Sequence, residues 1–136
     1  MSEQLTFDFR GERLLGAMAV RYLPDGDTCS SEGVELLFDS GRSTLLWCGT
    51  DWTLRISEGE WPKLPEWCWP LEDWAFEKVS GPGDAGFDRI DEVSGLYNSV
   101  GDLEGALLEF PAGSMVIKSG EAVTWEIIRK ADADSA

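Results

Sequence analysis

The chain contains no histidine. That absence removes the commonest general base and a frequent metal ligand, and with them any Ser-His-Asp or Cys-His nucleophile. Cysteine is scarce too. Cys29, Cys48 and Cys68 are widely spaced and form no C-x-x-C pair, so neither a zinc site nor a thioredoxin-type redox motif is supported. Reduced thiols of a cytoplasmic protein are the expectation, with Cys48 and Cys68 partly buried beside Trp-rich segments. No apolar run approaches the roughly 20 residues that span a bilayer. Met1 to Arg13 has no positive region leading into an apolar one, so no secretory signal is expected. Neither of the glycine-rich phosphate-loop patterns occurs, the glycines falling at turn positions instead. Basic residues are few: 11 Lys and Arg stand against 26 Asp and Glu, a net charge of −15 at pH 7. Such an excess repels nucleic acid and anionic membrane and speeds encounter with a basic partner.

What is present is enough for a folded body. Hydrophobic residues make up 43% of 136, which argues against a disordered acidic chain and for a single domain over residues 1–136. Most of the chain reads as short strands punctuated by glycine. Leu14 to Tyr22 is apolar and ends at the turn signal Leu23-Pro24-Asp25-Gly26-Asp27. Val34, Leu36 and Phe38 share a face, and Asp39-Ser40-Gly41 turns the chain into Ser43 to Trp47. Gly49-Thr50-Asp51 turns it again into a strand whose Trp52, Leu54 and Ile56 point one way while Thr53 and Arg55 point the other. A similar pattern returns later: Gly33, Phe38 and Gly41 match Gly105, Phe110 and Gly113 at a constant offset of 72. The second copy continues through Met115 to Lys118 and Val123 to Ile128. The fold class is therefore mainly β, with α+β left open: two antiparallel meanders, 14–56 and 87–128, flank a different middle. Duplication and independent hairpins obeying the same turn chemistry both explain the likeness.

The middle packs four Trp and three Pro into Trp61 to Trp74. Proline at that density excludes a regular central strand or a long helix interior. At most one or two short helices are expected: a turn at Leu71 to Phe76, and a segment from Asp88 to Asn98 that reads as a short helix or a strand, the spacing of Ile90, Val93, Leu96 and Tyr97 slightly favouring helix and Gly95 weakening it. Ser80 to Gly86 is a loop, and Lys130 to Ala136 a frayed tail. Acid pairs such as Glu72-Asp73 and Asp91-Glu92 are what chance supplies among so many carboxylates, and they do not by themselves indicate glycoside chemistry. The Asp/Gly loops at Pro24 to Asp27 and Gly83 to Asp88 do not continue into a calcium-binding pattern and read as solvated turns. No cofactor and no catalytic residue are assigned.

The candidate binding residues are aromatic and acidic. Trp67, Trp69 and Trp74 supply anchors, and Glu66, Glu72 and Asp73 adjoin them. A second acidic run, including Asp88, Asp91 and Glu92, has Arg89 as the lone basic residue between Gly81 and Ile117. Glu35, Glu109 and Glu126 lie in strands and are expected on wet sheet faces. A crossover pinned down by its Trp side chains is the competing, purely structural reading of the middle.

The acidity, together with Gly33-Val-Glu-Leu-Leu-Phe-Asp-Ser-Gly41 and Gly105-Ala-Leu-Leu-Glu-Phe-Pro-Ala-Gly113, resembles the immunity proteins of bacterial polymorphic-toxin and contact-dependent inhibition systems. The resemblance implies a stoichiometric inhibitor of a cognate toxin, often a basic nuclease. On that expectation the nine anchors and acids named above contact the toxin. A carbohydrate- or small-ligand-binding β-module, stacking sugars on Trp, and a structural or adaptor subunit are the alternatives.

Overall fold

The computed structural model describes residues 10–23, 31–49, 51–120 and 122–130. Nine strands form two antiparallel sheets. In the first, β1 (Leu14–Tyr22), β2 (Gly33–Phe38), β3 (Ser43–Cys48) and β4 (Leu54–Glu58) run as a meander, and β5 (Trp74–Val79) adds beside β1, giving the order β4-β3-β2-β1-β5. The second is a four-stranded meander of β6 (Glu92–Tyr97), β7 (Leu103–Phe110), β8 (Gly113–Lys118) and β9 (Thr124–Arg129). The strand class expected from the glycine-punctuated pattern is what forms, and both meanders place their matched Gly33–Phe38 and Gly105–Phe110 segments in the second strand.

The sheets face each other across one apolar core. Ala17, Ala19, Val34, Leu36 and Leu46 meet Ala106, Leu108, Met115 and Ile117, with Phe87 and Ile90 wedged in from the loop before β6. Alternation along each strand sends the other set of side chains outward. The registers Met18↔Glu35, Glu35↔Leu45 and Leu45↔Ser57 put these four in one outward row. That outward face is not wet. Val20, Leu45 and Cys68 are buried in a second cluster with Trp47, Leu64, Trp74 and Phe76. Its cover is the Trp-Pro segment 59–73, which leaves β4 at one edge of the sheet and returns as β5 at the other. Crossing four inter-strand gaps means a span of about 19 Å at ~4.8 Å each. This strap carries a single 3-10 turn, Leu71–Asp73, and both Trp61-Pro62 and Trp69-Pro70 are cis.

One open choice is settled and three expectations change. Of helix and strand, the segment Asp88 to Asn98 takes strand; β6 occupies Glu92–Tyr97, with Val93 turned to the core and Gly95 lying under the Tyr97 ring, where a Cβ would come within 2.9 Å. Trp52 does not join the face of Leu54 and Ile56. It sits in the preceding turn at φ +66° and 61% exposed, because its N–H closes on the Gly49 carbonyl and the Asp51 carboxylate accepts from both the Thr53 N–H and hydroxyl. The helical turn ends at Asp73, and Trp74 to Phe76 belong to β5 instead. Glu35 is buried, since the strap covers the face on which it stands; Glu109 and Glu126 are exposed as expected. Cys29, most of the turn at 23–27 and residues 131–136 of the tail lie outside the described residues. No helix among the described residues is long and apolar enough to cross a membrane.

Candidate functional site

The strap is held by aromatic contacts to the sheet. Trp67 packs against Trp47 of β3 (centroids 6.0 Å) and edge-on against Trp74 of β5 (5.4 Å), which in turn meets Tyr22 of β1 (5.0 Å). Trp61 meets Phe76 edge-on at 4.8 Å. Each such pair adds roughly 0.5–1.5 kcal/mol beyond its burial. Cys68 is fully buried in this layer, and burial, with a smaller push from Glu32, drives its thiol up to about 12. It is an apolar packing group and no nucleophile.

Packing does not consume every aromatic ring. Trp69 is 77% exposed, Trp61 40%, Trp67 36% and Leu71 54%. The strap is thus both a cover over the sheet, as the structural reading expects, and an exposed aromatic surface.

Where strap and sheet part, they leave a cleft of about 300 Å³ between β3, β4 and the start of the strap. Its walls include Trp47 and Trp67, its rim Glu58, Glu60 and Glu66, and Glu35 borders it from the sheet. The Glu35 Oε2 accepts the Ser43 hydroxyl at 2.6 Å and the Trp61 N–H at 3.0 Å. Gly59 passes directly over this pair, and a Cβ there would come within 2.5 Å of Ser43 Oγ. Loss of hydration pushes the Glu35 carboxyl above the ordinary carboxylate range, Glu60 adds to the rise, and the two hydrogen bonds recover only part of it.

That shift has a measurable consequence. A raised native value means the folded chain holds the proton more tightly than the unfolded one. Glu35 therefore lowers stability as pH rises from about 4.5 through its native value, and its cost is fully present above that native value. Glu35→Gln keeps an acceptor for Ser43 and Trp61 without the buried charge. At pH 7 the variant should be more stable by about 1 kcal/mol, or about 4 °C in Tm for a chain this size. The gain should vanish below pH 4.5 in paired thermal melts; a constant difference across pH would show that ionisation is not its source.

The nine residues expected to bind a partner fall into two groups. Glu66, Trp67, Trp69, Glu72, Asp73 and Trp74 lie together on the strap and the start of β5. Trp74 is the least available: it is half-buried, and its Nε1 has no partner among the described residues. Asp88, Asp91 and Glu92 lie elsewhere. The Asp88 carbonyl bonds the Leu14 N–H at the start of β1, whereas Trp74 pairs with Tyr22 at its end. At ~3.3 Å per residue the two groups are about 26 Å apart. The second group is also largely committed. Asp91 pairs with Arg89 at 3.0 Å, Glu92 with Arg10 at 3.9 Å and Asp88 with Arg13 at 3.3 Å. Backbone N–H groups of Asp88 and Arg89, followed by Arg13, hold the Asp88 carboxyl below its usual range. Arginines from before β1 thus neutralise an acidic run that looks unbalanced along the chain.

Sequence reasoning missed Glu35, Glu58, Glu60, Trp47 and Gly59 as parts of one site. The available signal was a failure of alternation: Gly33 to Phe38 is nearly continuous and Leu45 to Cys48 fully continuous in apolar residues, the pattern of strands covered on both faces. Among the described residues no three Cys, Asp or Glu side chains gather as metal ligands would. Compared with known proteins, the chain matches no protein-family model, no curated protein and no solved structure at significance.

Proposed function

We propose that this chain is a binding protein that docks a basic protein on its aromatic strap, acting as an immunity-type inhibitor of a bacterial toxin. One observation carries the reading. Trp61, Trp67, Trp69 and Leu71, all at least a third exposed, stand on one short segment flanked by the exposed carboxylates Glu58, Glu60, Glu66 and Glu72. Apolar surface left in water forgoes about 25 cal/mol per Å², and its concentration inside a charged rim is the composition of a protein–protein hot spot. The net charge of −15 supplies long-range attraction for a basic partner.

The test is the salt dependence of association with the partner, cross-linked to the chain in its native host, identified and purified. Between about 50 and 500 mM salt the association rate should fall roughly tenfold or more, as expected of steered encounter, while dissociation changes less. An association rate indifferent to salt would overturn electrostatic docking.

The open face of Trp69 also favours a second reading, stacking on a carbohydrate. Binding of a neutral oligosaccharide, unaffected by salt and lost in Trp69→Ala, would establish that alternative.

A further inference from the structure

We propose that the cleft between β3, β4 and the strap is a receptor for a guanidinium group, filled by an arginine side chain of the docked protein. This rests on the docking reading above and gives it a specific contact. At about 300 Å³ the cleft lies at the small end of ligand pockets, suited to one side chain rather than to a large ligand.

The charge of the cleft selects a cation. Four carboxyl side chains, those of Glu35, Glu58, Glu60 and Glu66, face one ammonium, that of Lys63. Lys63 forms no ion pair with them among the described residues, and neither Glu60 nor Glu66 has a basic partner there. Glu58 reaches only Arg42, at 3.8 Å with both side chains 66% exposed. Glu58, Glu60 and Glu66 are therefore not spent on holding the fold.

Glu35 supplies an independent sign. Its side chain is 1% exposed, and both of its hydrogen bonds end on Oε2. Among the described residues no donor reaches Oε1, yet the sole fully buried side-chain polar atom without a partner is Trp74 Nε1. Oε1 therefore keeps access to open space, and the void that Glu35 borders is this cleft. A carboxylate otherwise enclosed in protein presents one free oxygen to whatever enters.

The aromatic walls decide which cation. Trp47 and Trp67, packed against each other, both line the cleft and turn ring surface towards it. A flat, delocalised and weakly hydrated guanidinium stacks on such rings while its edge donors reach carboxylates, two at a time. A compact, strongly hydrated ammonium does neither as well.

The experiment titrates the full chain with Nα-acetyl-arginine methylamide, its lysine counterpart and its citrulline counterpart, which keeps the shape but lacks the charge. The indole N–H signals of Trp47 and Trp67 are followed by NMR. The arginine amide should shift both saturably, with a dissociation constant of about millimolar order. The lysine amide should bind about fivefold more weakly, and citrulline should leave both signals in place. Glu66→Gln, an exposed and conservative change, should weaken the arginine amide about three- to tenfold. Equal binding of citrulline or of lysine would overturn the assignment, as would signals unmoved by all three. Failures of the two readings separate cleanly. If the basic protein binds with salt dependence through Trp69 while the arginine amide leaves the cleft untouched, the cleft assignment falls and the docking reading stands. If the amide binds but salt leaves association unchanged, the cleft assignment stands and electrostatic docking falls.

Discussion

Trp69→Ala should cut affinity for the basic partner about 30-fold or more, the roughly 2 kcal/mol of an aromatic hot spot, while leaving the fold untouched. The two halves of that expectation come from one number. With 77% of its surface in water, the ring contributes little to the folded state, so its removal should alter stability by no more than about 0.5 kcal/mol. The same exposure makes it the most available anchor on the strap, and burial in a complex then supplies free energy that folding never used. Trp67→Ala provides the contrast, since it also removes packing against Trp47 and Trp74 and should lower both affinity and Tm. Calorimetry or interferometry with the purified partner, beside thermal melts of both variants, checks the pair. Unchanged affinity in Trp69→Ala with an unchanged melt would remove the strap from the interface.

Gly83→Ala should be among the most damaging small substitutions at the described residues. Gly83 has φ +92°, and a Cβ there would lie 2.7 Å from the Leu15 carbonyl carbon and 3.1 Å from the Gly16 nitrogen, at the irregularity in β1. Both obstacles are backbone and cannot rotate away. The loop must then lift from β1, and it holds Phe87 in the core: the Gly83 N–H donates to the Phe87 carbonyl at 2.9 Å, and Phe87 is fully buried against Phe110. Left-handed backbone costs an ordinary residue ~1–2 kcal/mol and overpacking ~1–3 more, a large share of the 5–15 kcal/mol that holds a domain together. A fall in Tm of about 10 °C or more is expected. Gly101→Ala isolates the first contribution, because Gly101 has φ +89° and nothing within 4 Å of its would-be Cβ. Its melt should fall by only a few degrees; equal melts for the two variants would refute the close-approach argument.

The strands were legible wherever a turn residue and a half-buried pattern coincided, as at Val34 to Phe38 with Asp39-Ser40-Gly41 behind it. They stayed undecided where spacing was ambiguous. Ile90, Val93, Leu96 and Tyr97 have helical intervals, but Ile90 precedes the strand, and the local spacing contains no information about β7, the neighbour that makes β6 a strand. The crowding of Trp and Pro in the strap identified a special segment without saying where it lies. Its place over the outward face follows from β5 pairing with β1 rather than with β4, a choice made by tertiary contacts. Glu35 was assigned to water because a glutamate in a strand usually faces it; the nearly continuous apolar run of Gly33 to Phe38 hints at a second covered face, but not at a lid that begins 24 residues later.

The Glu35 to Leu107 correspondence at that same offset of 72 shows what the lid changes. Leu107 stands outward on β7, half-buried, in a sheet that no strap of the described residues crosses, whereas the carboxyl of Glu35 at the matching position is enclosed.

The five strands of the first sheet also act as a partition between two kinds of inheritance. Along β3, Thr44, Leu46 and Cys48 belong to the core between the sheets, while Ser43, Leu45 and Trp47 belong to the strap side. Every second residue therefore answers to a different packing demand. Substitutions in the strap and at the positions beneath it can reshape the outward surface, while the alternate positions go on encoding the same body.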